Sequence, residues 1–121
     1  MNEARLGVIE SRFADIVWER APISTALLVK ICESEFGWKR TTTYTVLKRL
    51  SERGLFKNEG GTVNVLITKD EFYSMQSERV INESFGGSLP AFVAAFTSRQ
   101  NLSESDIAEI RAIIENMKRE Q

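Results

Sequence analysis

The sequence has no histidine. That removes the commonest general base at neutral pH and the commonest metal ligand. Cys32 is the one cysteine in 121 residues, so an internal disulfide and a CxxC site are excluded. A lone cysteine beside an apolar stripe reads as a small buried hydrophobe. No phosphate-cradling glycine loop and no paired nucleophile and base are present. The expectation is a protein that is not an enzyme, with no cofactor and no metal site. No apolar run approaches the roughly 20 residues that span a bilayer. The opening Met1-Asn2-Glu3-Ala4-Arg5 lacks a secretory pattern. A cytoplasmic protein without a membrane partner is therefore expected. No internal repeat or low-complexity segment is visible. A net charge of −1 excludes a strongly basic or acidic whole.

What is present is ordinary for a globular chain, with 42% apolar and 27% charged residues. The length suits one domain, or one small domain with an appendage. The small net charge hides an asymmetry. Residues 1–69 hold 11 Lys and Arg against 8 Asp and Glu, a net of +3, whereas 70–121 hold 5 against 9, a net of −4. Within 38–57, Lys39, Arg40, Lys48, Arg49, Arg53 and Lys57 face Glu52 alone. Such a cluster is either a footprint for a polyanion or a solvated helix face.

Hydrophobic spacing divides the basic half into helices and a hairpin. Ile9, Phe13, Ile16 and Val17 recur at helical spacing over 9–20. Pro22 stops that helix and Ser24 suits an N-cap. A second helix is expected over 25–36, with Leu27, Leu28 and Ile31 turned inward and Gly37 ending it. A third runs about 41–53 and ends at Gly54. Val63, Val65 and Ile67 then alternate with Asn64, Leu66 and Thr68, the period of a strand. Gly60-Gly61 supplies the positive φ of a tight turn between residues 55–59 and 62–68.

The acidic half reads as wholly helical. Thr68-Lys69-Asp70-Glu71 is a capping box, and its helix should reach about Phe85. Gly86-Gly87 breaks it. Leu89, Phe92, Val93 and Phe96 then form an amphipathic stripe. Ser103 starts a last helix whose Ile107, Ile110, Ile114 and Met117 make a short a/d seam, with Ile113 adjoining. Short helices joined by glycines bury such stripes poorly alone, and a second copy of the chain is the simplest cover. The fold expected is mostly α with a small β-hairpin. A winged helix-turn-helix domain (1–69) is followed by a helical dimerisation region (70–121).

On a helical wheel, Val46, Leu47 and Leu50 of the third helix point inward with Thr43 beside them. Thr41, Tyr44, Thr45 and Lys48 point outward, and Thr42 and Arg49 lie on the flanks. Hydroxyls and lysines suit phosphates and base edges, and a threonine methyl suits the methyl of thymine. Three successive threonines are poor helix formers, so propensity did not place them there. Helix-turn-helix geometry puts this helix in a major groove, with Lys39 and Arg40 in the turn and Lys57 in the wing along the phosphates. Lys39, Arg40, Thr41, Thr42, Tyr44, Thr45, Lys48, Arg49 and Lys57 are thus the candidate DNA contacts. Tyr44 either meets a phosphate or covers the wing. Trp18 reads as core; Trp38 either stacks near the backbone or packs over the helix-turn-helix.

Trp38-Lys39-Arg40-Thr41-Thr42-Thr43-Tyr44-Thr45-Val46-Leu47-Lys48-Arg49-Leu50, followed by Arg53-Gly54, resembles the recognition-helix motif of the penicillinase repressors, the BlaI/MecI/CopY family of winged-helix regulators. Ile16-Val17-Trp18, Pro22-Ile23-Ser24, Phe85-Gly86-Gly87-Ser88-Leu89 and Leu102-Ser103 agree with that family, so the resemblance covers roughly 9–118. It implies a homodimeric transcriptional repressor on a palindromic double-stranded operator, with Thr42, Thr45 and Arg49 on the family's threonine and arginine positions. It also implies an upstream sensor or protease, because the antibiotic-resistance members are cut at an Asn-Phe pair in the C-terminal helices. Ala95-Phe96 stands at that place and lacks the asparagine. Residues 100–121 have no cysteine, so the copper-sensing motif of other members is missing. The second wing strand, Val63-Asn64-Val65-Leu66-Ile67, lacks the aromatics often found there. The other reading is a winged-helix adaptor for a protein or small ligand; a polar, basic outward face argues against it, since an adaptor would expose an apolar patch.

Overall fold

In the computed structural model, which describes residues 6–120, helices and strands end at capping and breaking residues. The order is α1 (Val8–Arg20), β1 (Ile23–Ser24), α2 (Thr25–Phe36), α3 (Arg40–Glu52), β2 (Phe56–Glu59), β3 (Thr62–Val65), α4 (Lys69–Ser84), α5 (Leu89–Thr97) and α6 (Glu104–Glu120). Ala21 leaves α1 in an extended conformation ahead of Pro22. Ser24 caps α2, its hydroxyl accepting from the Leu27 N–H at 3.1 Å. Gly37 closes α2 at a φ of 69°, a left-handed conformation that side chains resist. In the wing, Gly60 and Gly61 sit at φ 57° and 84°, the two positive values that a two-residue hairpin turn requires.

The sheet has three strands in the order β1-β3-β2, not the two of the expected hairpin. Ile23 pairs with Val63 and Ser24 with Thr62, both antiparallel. A strand of two residues, Ile23 after Pro22 and the helix cap Ser24 itself, is too short to show alternation. The inner edge of β3 recruits them and ties the wing back to the helices.

The chain divides into two compact units that meet between Arg79 and Val80. The first has a continuous core of Phe13, Ala14 and Val17 from α1, Leu28 and Cys32 from α2, and Val46, Leu47 and Leu50 from α3. Leu55, Phe56 and Val63 complete it from the wing, and Phe72 from the start of α4. Leu27, expected inward, is 46% exposed. The inward row of α2 is Leu28 and Cys32, one turn apart, and Leu27 lies a step around the helix from it. Ile9 is likewise exposed, and Ala14 takes an inward place on α1 that its small side chain did not advertise.

Trp18 is half-buried and bridges the elements. Its indole N–H donates to the Ile67 carbonyl at 3.0 Å, and its ring packs against Phe56 and Phe72. The Thr68 hydroxyl accepts from the Glu71 N–H at 3.1 Å, while the Glu71 carboxylate accepts from the Thr68 N–H at 2.9 Å. This is the capping box read from the sequence, and it starts α4 immediately after the wing.

In the second unit α4 ends before Gly86-Gly87. Ser88 caps α5 by accepting from the Ala91 N–H at 3.0 Å, and Ser103 caps α6 from the Asp106 N–H at the same distance. The ring of Phe92 meets Phe85 edge-on at 5.4 Å and stacks on Phe96 at 6.4 Å. Among the described residues of this unit, none is buried.

Candidate nucleic-acid interface

The third helix is fixed by one face and by the turn before it. Thr43, Val46, Leu47 and Leu50 are buried. The Gly37 N–H closes the preceding helix on the Glu33 carbonyl at 2.9 Å. Trp38 then stacks on Phe13 at 5.9 Å and leans on Phe36 at 4.7 Å, which anchors the turn to α1 and α2. Of the two readings of Trp38, packing over the helix-turn-helix is the one observed. Cys32 and Thr43 face each other within this core. Burial pushes the Cys32 thiol up, against a smaller opposing influence of the nearby Thr43 hydroxyl, so the thiol stays protonated.

The opposite face of α3 is open. Thr41, Thr42, Thr45, Lys48 and Arg49 are exposed, and Tyr44 is partly covered. The Thr45 hydroxyl donates to the Thr41 carbonyl one turn back at 2.9 Å. Its hydrogen is thereby committed, and what it offers outward is a methyl group and oxygen lone pairs. Arg40 lies over the Tyr44 ring, 5.4 Å from the centroid, a cation–π contact that holds both at the start of the helix. Among the described residues no carboxylate pairs with Lys39 or Lys48.

The wing meets α3 across a groove lined by Tyr44, Leu47, Lys48, Ser51, Phe56, Lys57, Asn58 and Leu66. Tyr44, Lys48 and Lys57, far apart in sequence, thus border one channel. Lys39 and Arg40 lie at the other end of α3, and Thr42 is outside the groove. Lys57 pairs with Glu59 on its own strand at 3.2 Å, both largely exposed. An exposed pair of this kind is worth little and yields readily to a phosphate. Beyond Leu47, read as core, four groove residues were not singled out from sequence: Ser51, Phe56, Asn58 and Leu66. Ser51 and Asn58 carry no periodic signal. Leu66 is 57% exposed, and its outward place follows from the alternation that turns Val63 inward.

Arg49 was assigned as a DNA contact on the flank of α3, and the structure adds a partner that spacing did not reveal. Its Nη1 donates to Oε2 of Glu10 on α1 at 2.8 Å. Burial pushes the Glu10 carboxyl up. The hydrogen bonds from Arg49 and the Gly7 N–H, with the Arg49 and Arg53 charges, outweigh that and leave it below its usual range.

In the second unit, the residues read as a dimer face stand on their helices without cover. Leu89, Val93 and Phe96 on α5 are exposed, with Phe92 half-buried between its ring neighbours. Ile107, Ile110, Ile114 and Met117 form one open ridge on α6, and the adjoining Ile113 is 63% exposed. Ala95 and Phe96 sit within α5. No helix among the described residues is long and apolar enough to cross a membrane. No group of acidic or sulfur side chains among them is placed to hold a metal ion.

Residues 6–116 match the family described as penicillinase repressor. The chain is 26% identical over 122 residues to the penicillinase repressor of Bacillus licheniformis, covering 98% of this chain and 91% of that protein. It is 23% identical over 109 residues to the methicillin resistance regulatory protein MecI of Staphylococcus aureus, covering 87% of this chain and 89% of that protein.

Proposed function

We propose that this chain, which belongs to the penicillinase repressor family, represses transcription as a cytoplasmic homodimer that lays α3 in the major groove of a palindromic operator. Membership in a family of transcriptional repressors supports a role in regulating transcription. The observation that carries the finer reading is the outward face of α3. It is held rigidly from behind, bears Thr41, Thr42, Thr45 and Lys48 in the open, and lies beside a basic wing. Thr42, Thr45 and Arg49 read base edges, while Lys39, Arg40, Thr41, Tyr44, Lys48 and Lys57 hold phosphates.

The division of labour follows the charge. Residues 1–69, with the first turns of α4 packed on them through Phe72, bind DNA; the remaining helices dimerise through the stripes of α5 and α6. Two half-sites bound together gain about 10²–10⁴-fold over one, through effective concentration. An upstream sensor or protease that loosens or cuts the C-terminal helices would remove that gain without touching α3.

Genome-wide footprinting followed by titration of the recovered duplex tests this. The expected result is tight binding whose affinity falls steeply with salt. Absence of enriched sites, or binding indifferent to salt, would refute it.

A further inference from the structure

We propose that Glu10 is a positioning residue for operator recognition: it clamps the Arg49 guanidinium from behind, so that a cation able to bind any phosphate instead meets one base edge. The proposal rests on α3 being the recognition helix.

The two oxygens of Glu10 do different things. Oε1 accepts from the Gly7 N–H at 3.2 Å, which ties the carboxylate to the first turn of α1. Oε2 accepts from Arg49 Nη1 at 2.8 Å, across 39 residues of sequence. The carboxylate is therefore held by backbone on one side while it holds Arg49 on the other. Only 19% of the Glu10 side chain is exposed, against 54% for Arg49. The acid is a fixture of the fold, and the guanidinium projects from it.

That asymmetry leaves Arg49 most of its capability. A guanidinium has five donors in a planar fork, and the clamp uses one end. The rest of the side chain is exposed, and Arg49 follows Thr45 by one turn and Thr42 by two on the same face of α3. An unrestrained cation on a DNA-binding surface neutralises whichever phosphate is near, with no sequence preference. A guanidinium held in one plane suits the paired acceptors of a guanine edge. Lys48, with no carboxylate against it, is the contrast on the same helix. The pair adds only modestly to stability, because its arginine is largely in solvent.

The experiment compares full-length variants on two duplexes, the footprinted operator and a scrambled sequence of equal length. Glu10→Gln removes the charge and weakens the clamp; Glu10→Asp keeps the charge but falls short of Arg49. Glu52→Gln removes one exposed acid at the end of α3 as a charge control. Glu10→Gln and Glu10→Asp should each lower the ratio of operator to scrambled affinity about tenfold, the scale of one base contact. Glu52→Gln should raise both affinities alike and leave the ratio unchanged. In an Arg49→Ala background, Glu10→Gln should no longer move the ratio. Urea unfolding of each variant shows that the folded protein is being titrated.

An unchanged ratio in both Glu10 variants overturns the proposal while leaving the recognition-helix reading intact. So does a fall in the ratio that persists without Arg49. A wild-type protein that does not distinguish the two duplexes overturns the recognition-helix reading and the Glu10 proposal together.

Discussion

Recognition by α3 comes down to single side chains. Lys48 is exposed and unpaired, so Lys48→Ala should weaken binding to all sequences alike. It should also lower the slope of affinity against salt by about one unit. Thr45 is more specific. Because its hydroxyl hydrogen goes to the Thr41 carbonyl, Thr45→Val keeps the methyl that faces outward and should bind the operator better than Thr45→Ala. Equal losses in the two variants would show that the hydroxyl is the recognised group. Glu10 gives a pH prediction. Its carboxyl is lower in the folded protein than its ordinary value of 4.5. Its stabilising contribution is therefore fully present above that value and is lost as pH falls through the lowered one. Urea unfolding should show wild type more stable than Glu10→Gln at neutral pH, with the gap closing in acid. A gap that widens on acidification would contradict the assigned shift. The outward threonines were legible in the sequence, because a wheel needs only the inward Val46, Leu47 and Leu50 to fix it. Glu10 was not, since a partner on another helix leaves no trace in local spacing.

At the scale of elements, what could be read in advance was what depends on neighbours in sequence. Ser24, Gly37, the Thr68–Glu71 box, Ser88 and Ser103 mark helix ends because capping is local chemistry. What escaped depends on tertiary context. The strand β1 exists because β3 has a free edge, and Leu27 points outward because Leu28 and Cys32 already fill the space beneath α2. The packing of α3 is the element on which the site depends. Leu50 is fully buried in the centre of the core, and Leu50→Ala should cost about 2–5 kcal/mol. Chemical unfolding measures that cost. A loss well below 1 kcal/mol would mean that α3 is not seated as described.

For the whole molecule, the decisive contrast is between a first unit with a closed core and a second whose described residues are all at least partly in contact with solvent. The open ridge of α6 places Ile110 and Ile114 one turn apart, so an aspartate at either faces the proposed twin. Ile114→Asp should convert a dimer to a monomer at micromolar concentration by sedimentation, and leave the core unit folded by near-ultraviolet circular dichroism. Any shortened form should keep α4 to at least Arg79, because ending at residue 69 removes Phe72 from the first core. That two copies of α3 read a palindrome together is checked most directly by a hydroxyl-radical footprint of the full-length protein on its operator. Two protected patches related by a twofold axis are expected, with centres about one helical turn of 10 base pairs, or a multiple of it, apart. A single unpaired patch, or two patches that Lys48→Ala leaves equally protected at every protein concentration, would contradict it.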